Sequence, residues 1–243
     1  MLSDLFGHLA RVHKYGKTDF RWRNLRRLAK KYVVGKSILD AGCGTGHVTF
    51  ELLDDGYDVT AIDSSPELVD FVQKMIEVAN YKADLRVLDL TNAEVLGKNR
   101  FDTTLCLDVL EHIADDRLAM KNLYYVSKKN GVLIVSVPAL SFLHGIRDRE
   151  IGHYRRYDKG HLINELRLAG FDIVDIRYWN FLGVLPVLFS EKILSKKVYE
   201  GMRYSRKFLA RLLNGLLNGW FCYIENNVRF PIGISLVAIC RKI

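Results

Sequence analysis

Short apolar runs and amphipathic stretches alternate along this chain. Ser37–Ala41, Asp58–Asp63, Leu85–Leu90, Phe101–Leu110 and Gly131–Pro138 are apolar runs of strand length. Between them, Val48–Asp54, Pro66–Asn80 and Asp115–Ser127 place their apolar residues at helical spacing. In Pro66–Asn80, Leu68, Phe71, Val72, Met75, Ile76 and Ala79 share one face. Ser65 is placed to cap that helix, with Pro66 at its first position, where a missing N–H costs nothing. Buried strands alternating with helices predict a parallel sheet flanked by helices. The alternation breaks near the end. Phe171–Phe181 and Ile234–Lys242 read as strands separated by about fifty residues, with helical stretches around Ser190–Val198 and Ser205–Leu217. This pattern predicts a β-hairpin edge interrupted by a helical insertion, at about 182–231. Residues 1–34 read as one or two basic helices ahead of a main domain, 35–243.

Composition narrows the picture. The chain has 243 residues, 49% hydrophobic and 26% charged, a globular mixture with ample material for a core. Residues 1–36 lack the continuous apolar stretch of a signal peptide, and the most apolar window, Phe181–Ser190, is about half as long as a membrane span. Cys43, Cys106, Cys222 and Cys240 form no CxxC pair, so neither a zinc site nor a redox dithiol is expected, and buried, reduced thiols in a cytoplasmic protein are. The net charge of +8 is uneven: residues 1–36 carry ten Lys/Arg against two Asp, and residues 181–232 eight Lys/Arg against three Glu. Such segments suit an anionic partner or are solvated helix faces.

The strongest local signal is Ile38-Leu39-Asp40-Ala41-Gly42-Cys43-Gly44-Thr45-Gly46, a buried strand running into a glycine-rich turn that opens a helix. Glycines permit the turn and let a ligand approach the backbone. A dinucleotide loop would place its third glycine at position 47, which holds His47, and a phosphate-binding loop would need Gly-Lys-Ser/Thr, which is absent. From Ile38 to Pro138, and weakly at the last two strands, the chain resembles class I S-adenosylmethionine-dependent methyltransferases. The resemblance implies an α/β, Rossmann-like three-layer sandwich with a mostly parallel seven-stranded sheet whose last strand is antiparallel, and S-adenosylmethionine as cofactor. It also implies roles by position. Gly42, Cys43, Gly44 and Gly46 form the cofactor loop, and Asp40 helps to hold the ammonium group. Asp63, followed by Ser64, ends the second strand and holds the ribose hydroxyls, as a carboxylate can accept from both hydroxyls of a diol. Asp89 accepts from the adenine amino group while Leu90 packs on the ring, and Asp108 and Val109 line the methionine end. All four acids fall at carboxyl ends of strands, where open α/β sheets bind ligands.

The acceptor is expected beyond the fourth and fifth strands, where Leu143–Tyr157 gathers histidines, arginines and tyrosines. Arginine grips carboxylate or phosphate in a bidentate fork, and histidine handles protons near neutral pH. His153, Tyr157 and Arg155 are therefore the candidate catalytic residues, against the alternative of a structural loop whose arginines pair with Asp148, Glu150 and Asp158. Asp108-x-x-Glu111-His112 faintly resembles the metal-binding acids of small-RNA end methyltransferases, but the same phrase is common in metal-free enzymes, and no metal is expected. Apolar Phe181–Phe189 precedes Lys192, Lys196, Lys197, Arg203, Arg206, Lys207 and Arg211. This suits peripheral membrane contact, a lipid-like acceptor, a homodimer interface or ordinary core packing. Tyr15, Phe20 and Trp22 suit a lid over the cofactor or a packing helix. The expected function is methyl transfer to a small-molecule or lipid-linked, anionic acceptor. The alternatives are RNA methylation, with no recognisable RNA-binding module to support it, and a non-catalytic cofactor-binding subunit.

Overall fold

The computed structural model describes residues 7–10, 13, 19–189 and 208–243, and in the last stretch the side chains from residue 212 onward. Helix α1 (Phe20–Lys30) is capped by the Asp19 carboxylate, which accepts from the Arg21 and Trp22 N–H groups. Then follow β1 (Ser37–Ala41), α2 (His47–Asp54), β2 (Asp58–Asp63), α3 (Pro66–Val78), β3 (Asp84–Val87), β4 (Phe101–Leu107), α4 (Asp116–Val126), β5 (Ser127–Pro138), α5 (Ile146–Glu150), α6 (Lys159–Leu168), β6 (Phe171–Trp179), α7 (Val184–Leu188), α8 (Phe208–Trp220) and β7 (Ser235–Lys242).

The seven strands form one sheet in the order β3-β2-β1-β4-β5-β7-β6. All pairings are parallel except those of β7, which runs antiparallel to both β5 and β6. The expected hairpin is therefore present, with β6 as the edge and β7 filling the gap beside β5. Successive side chains of a strand point to opposite faces, and the chain uses both. Leu39, Leu133, Val135, Leu236 and Ala238 enter a core shared with α4 and α6. Their neighbours Ile38, Ile134, Val237 and Ile239 enter a second core with α1, α2 and α3. This is the three-layer sandwich. Phe20, Leu25, Leu28 and Ala29 place α1 inside the second core rather than outside the domain.

Two strand ends differ from the sequence pattern, each for a local reason. The run expected to continue to Leu90 leaves the sheet after Val87, because the Asp89 carboxylate caps a 3-10 turn over Leu90–Leu96. The run expected to reach Leu110 stops at Leu107, because Asp108 takes a left-handed conformation (φ 55°). Strand β5 starts four residues earlier than expected, at Ser127, and reaches Gly131 through an irregularity in its register with β4.

Candidate active site

Strand β1 lies between β2 and β4, so the chain's connections leave it to opposite sides and a crevice opens at the strand ends. Gly42 (φ 86°) and Cys43 donate their N–H groups to the Ile62 carbonyl at 2.8 and 2.9 Å, which turns the loop across the end of β2. A side chain at Gly42 would place its Cβ 2.3 Å from Val109, so only glycine lets the β1 and β4 loops approach this closely. At Gly44 the same test meets nothing within 4 Å, leaving the backbone open to a ligand.

Asp63 braces this loop. Its Oδ2 accepts from the Gly44 N–H at 2.9 Å and its Oδ1 from the Ser65 N–H at 3.0 Å. Asp89 accepts from the N–H and hydroxyl of Thr91 at 2.7 and 2.6 Å. Asp108 is held in its left-handed conformation by the Ser136 hydroxyl, which donates to its carboxylate, and by its own N–H to the Ser136 carbonyl at 2.8 Å. Together these groups line a cleft of about 410 Å³ that brings together Gly42, Gly44, Asp63, Ser64, Asp89, Leu90, Asp108 and Val109. Ser65, Leu68, Leu88, His112 and Ile113, which lie beside the expected residues in the chain, complete it. Asp40, Cys43 and Gly46 stand behind the lining. The Asp40 carboxylate accepts from the Thr49 hydroxyl at 2.6 Å; burial, partly offset by that bond, pushes its pKa up to about 6. Burial likewise raises the Cys43 thiol, with the Asp40 and Asp63 charges adding to it.

A polar cavity of about 110 Å³ shares Asp108 with the cleft. Its walls are Arg21 from α1, Glu111, Arg147, Asp148, His153, Arg156, and the apolar Pro138, Ile151 and Ile234. Asp148 organises one side. It accepts from the His153 Nδ1 at 3.0 Å, the Arg156 Nε at 2.8 Å and the Gly145 N–H at 3.0 Å. Burial opposes its charge, but the bonds from His153 and Arg156 outweigh this and hold the carboxyl well below the usual range. Because an ionised carboxylate only accepts, His153 donates to it from Nδ1, which leaves Nε2 as the nitrogen available on the other side of the ring. Glu111 is 1% exposed; burial and then the Asp108 charge push its pKa well above the usual range. Burial and then His153 lower that of His112.

Arg155 and Tyr157 correct the expectation for this loop. Tyr157 is fully buried and donates to Asp116 Oδ2 at 2.6 Å, and burial with that bond raises its pKa. Arg155 pairs with Asp116 Oδ1 at 2.6 Å and donates to the Ala114 carbonyl at 2.7 Å. Asp116, at the start of α4, draws both away, and neither lines the cleft or the polar cavity.

A third, mainly apolar cavity of about 240 Å³ shares Arg21, Arg147 and Ile234 with the polar one. Phe20, Leu182, Pro186, Val187, Leu213, Leu217 and Phe221 form most of its wall. Pro186 also borders an open surface hollow with Leu185, Leu188 and Phe189. The insertion is anchored here: Asn226 accepts from the Trp179 indole at 2.9 Å and donates to the Asn24 carbonyl at 2.9 Å. Of the suggested lid, Phe20 belongs to the core and Trp22 packs against it, while Tyr15 lies outside the described residues. Lys192, Lys196, Lys197, Arg203, Arg206 and Lys207 also lie outside them, as does the Arg211 side chain. Several cations of α1 are spent internally: Arg26 pairs with Glu51 at 2.8 Å and Lys30 with Asp55 at 2.5 Å. Among the described residues no helix is long and apolar enough to cross a membrane.

A sheet in this order, with one reversed strand and a cleft of glycines and acids at the strand ends, is that of the class I S-adenosylmethionine-dependent methyltransferases. The chain belongs to this family: the model described as "Methyltransferase domain" matches residues 12–176. A ubiquinone biosynthesis O-methyltransferase of Xanthomonas euvesicatoria pv. vesicatoria is 27% identical over 157 residues, 59% of this chain and 66% of that protein. One from Coxiella burnetii is 34% identical over 104 residues, 42% of this chain and 43% of that protein. The chain thus spans less than two thirds of either relative. A solved S-adenosylmethionine-dependent methyltransferase from Archaeoglobus fulgidus shares the fold, with a TM-score of 0.58 at 16% identity over 90% of this chain and 91% of its own. The residues present fit the family's cofactor: open backbone at Gly44, a carboxylate at the end of β2 for a diol, and apolar Leu88 and Leu90 beside Asp89 for a ring.

Proposed function

We propose that this chain transfers a methyl group from S-adenosylmethionine to a hydroxyl oxygen of a small molecule bearing an apolar tail. The observation that carries the reading is the row of cavities joined through shared walls, polar next to the cofactor cleft and apolar beyond. Curated relatives named for O-methylation in ubiquinone biosynthesis support oxygen as the methylated atom and a hydroxylated ring with a lipid chain as the acceptor class.

The cofactor would be held by Gly42, Gly44, Asp63, Ser64, Asp89, Leu90, Asp108 and Val109, with Asp40, Cys43 and Gly46 shaping the loop from behind. Bound there, it supplies a methyl group already activated on a sulfonium. The chain's own task is then alignment, exclusion of water and management of the acceptor's proton. The hydroxyl is held at His153, whose Nε2 faces the polar cavity because Asp148 occupies Nδ1. Arg21 and Arg147 supply positive charge for an anionic or strongly polarised head group. The tail extends between Leu182, Val187, Leu213 and Leu217 toward Leu185 and Phe189, which are 74% and 51% exposed and suit an approach from a lipid surface.

The test compares a phenolic acceptor carrying an isoprenoid chain with the same ring lacking it, locating the new methyl by mass spectrometry. Each buried methylene is worth about 0.8 kcal/mol, so two raise kcat/KM roughly fifteen-fold. Leu217→Trp, which fills the apolar cavity, should abolish the preference without changing affinity for S-adenosylhomocysteine. Equal kcat/KM for the two acceptors, or methylation at nitrogen or carbon, would overturn the reading.

A further inference from the structure

Glu111 holds a buried carboxyl beside two histidines. It is 1% exposed, and its Oε2 has no hydrogen-bond partner among the described residues. Burying a carboxylate oxygen without a partner is costly, and native structures seldom leave one so. The oxygens are not isolated from other donors of electron pairs, however. Oε1 stands 3.9 Å from the His153 Nε2, and the rings of His153 and His112 meet edge to face with centroids 4.5 Å apart. One ligand atom from each of Glu111, His112 and His153 lies within 4.8 Å of the others.

We propose that Glu111, His112 and His153 bind a divalent first-row transition metal ion between the cofactor cleft and the polar cavity. Three features support a built site. The 3-10 turn over Leu110–His112 delivers two ligands in succession. The third is oriented from behind: Asp148 accepts from the Nδ1–H of His153, the usual arrangement for a metal-bound imidazole, and is itself clamped by Arg156. Two imidazoles and one carboxylate suit zinc, iron, manganese or cobalt and leave coordination positions open, whereas magnesium and calcium favour all-oxygen sets. His112 borders the cofactor cleft, and Glu111 and His153 border the polar cavity, so an ion here reaches both. The expectation of no metal weighed only Asp108, Glu111 and His112; His153 joins them through the fold. Ligation would use the His153 Nε2, the atom that holds the hydroxyl in the reading above, so the hydroxyl would then meet not that nitrogen but the ion. Its role, polarising the acceptor hydroxyl so that its proton leaves for solvent more readily, rests on that reading.

The experiment uses the full chain, stripped with chelator and titrated with Co2+ alone in the presence of S-adenosylhomocysteine. Binding is followed by the visible absorption of the ion and by elemental analysis after dialysis. One equivalent is expected. Affinity should fall at least a hundred-fold in both Glu111→Gln and His153→Gln, and ten- to a hundred-fold in Asp148→Asn, where only the orienting contact is lost. Melting curves establish that each variant is folded. If Glu111→Gln is not, His112→Gln, whose side chain is solvent-accessible, gives the same reading. Absence of a stoichiometric ion in the wild type, or wild-type affinity in the folded variants, overturns the proposal. Failure here with an intact preference for tailed acceptors leaves methyl transfer standing; a bound ion with no such preference does the reverse.

Discussion

Replacing Asp63 with asparagine exchanges one oxygen for an NH2 group in the loop on which the cofactor cleft is built. The carboxylate accepts from Gly44 through one oxygen and from Ser65 through the other, at 2.9 and 3.0 Å. The amide keeps only one of these bonds, because its nitrogen turns a donor toward the other N–H. A hydrogen bond to a charged group contributes about 1.5–3 kcal/mol. The loss divides into two measurable parts. Without ligand, a weakened loop costs the fold about 1–2 kcal/mol, roughly 2–8 °C in Tm for a chain of this size. With ligand, loss of the charged acceptor for the ribose diol costs about 1.5–3 kcal/mol more, or roughly ten- to 150-fold in Kd. Calorimetry with S-adenosylhomocysteine, beside a melting curve of each protein, separates the two. Wild-type affinity in Asp63→Asn would refute the ribose assignment even if Tm falls as expected.

Two further outcomes follow from buried groups. Burial pushes the Asp40 pKa up from the ordinary 3.8 to about 6, so the folded form holds its proton over a range where the unfolded chain has lost it. Its contribution to stability is therefore full below pH 4 and is lost as pH rises through 6, by about 3 kcal/mol. Urea unfolding should show Asp40→Asn gaining about that much on the wild type between pH 4 and 7.5, and a gap independent of pH would contradict this. Tyr157→Phe strands one oxygen of Asp116 and should lower unfolding free energy by about 1–2 kcal/mol. Its affinity for S-adenosylhomocysteine should stay unchanged; a large loss of cofactor affinity with normal stability would return Tyr157 to the site.

The sequence by itself determined the cofactor half of this protein. Apolar runs mark β1 and β2 to the residue, because strands buried on both faces have little freedom in composition. The residues that line the cleft stand at or just beyond those strand ends, so Gly42, Gly44, Asp63, Asp89 and Asp108 all lie in the motifs that carry the family resemblance. Only local competition escaped that reading, as where the Asp89 side chain caps a turn and ends β3 early. The polar cavity was decided by tertiary structure. Its walls come from α1, the β4 and β5 loops, α5 and the approach to β7, and no spacing along the chain announces that Arg21, Glu111, Arg147, His153 and Ile234 meet. Direction was equally hidden. Within five residues, His153 and Arg156 turn to Asp148 while Arg155 and Tyr157 turn to Asp116. Asp116 lies 41 residues before Tyr157 in the chain. A side chain's type is local information, but the carboxylate that claims it is brought there by the packing of the whole sheet and its helices.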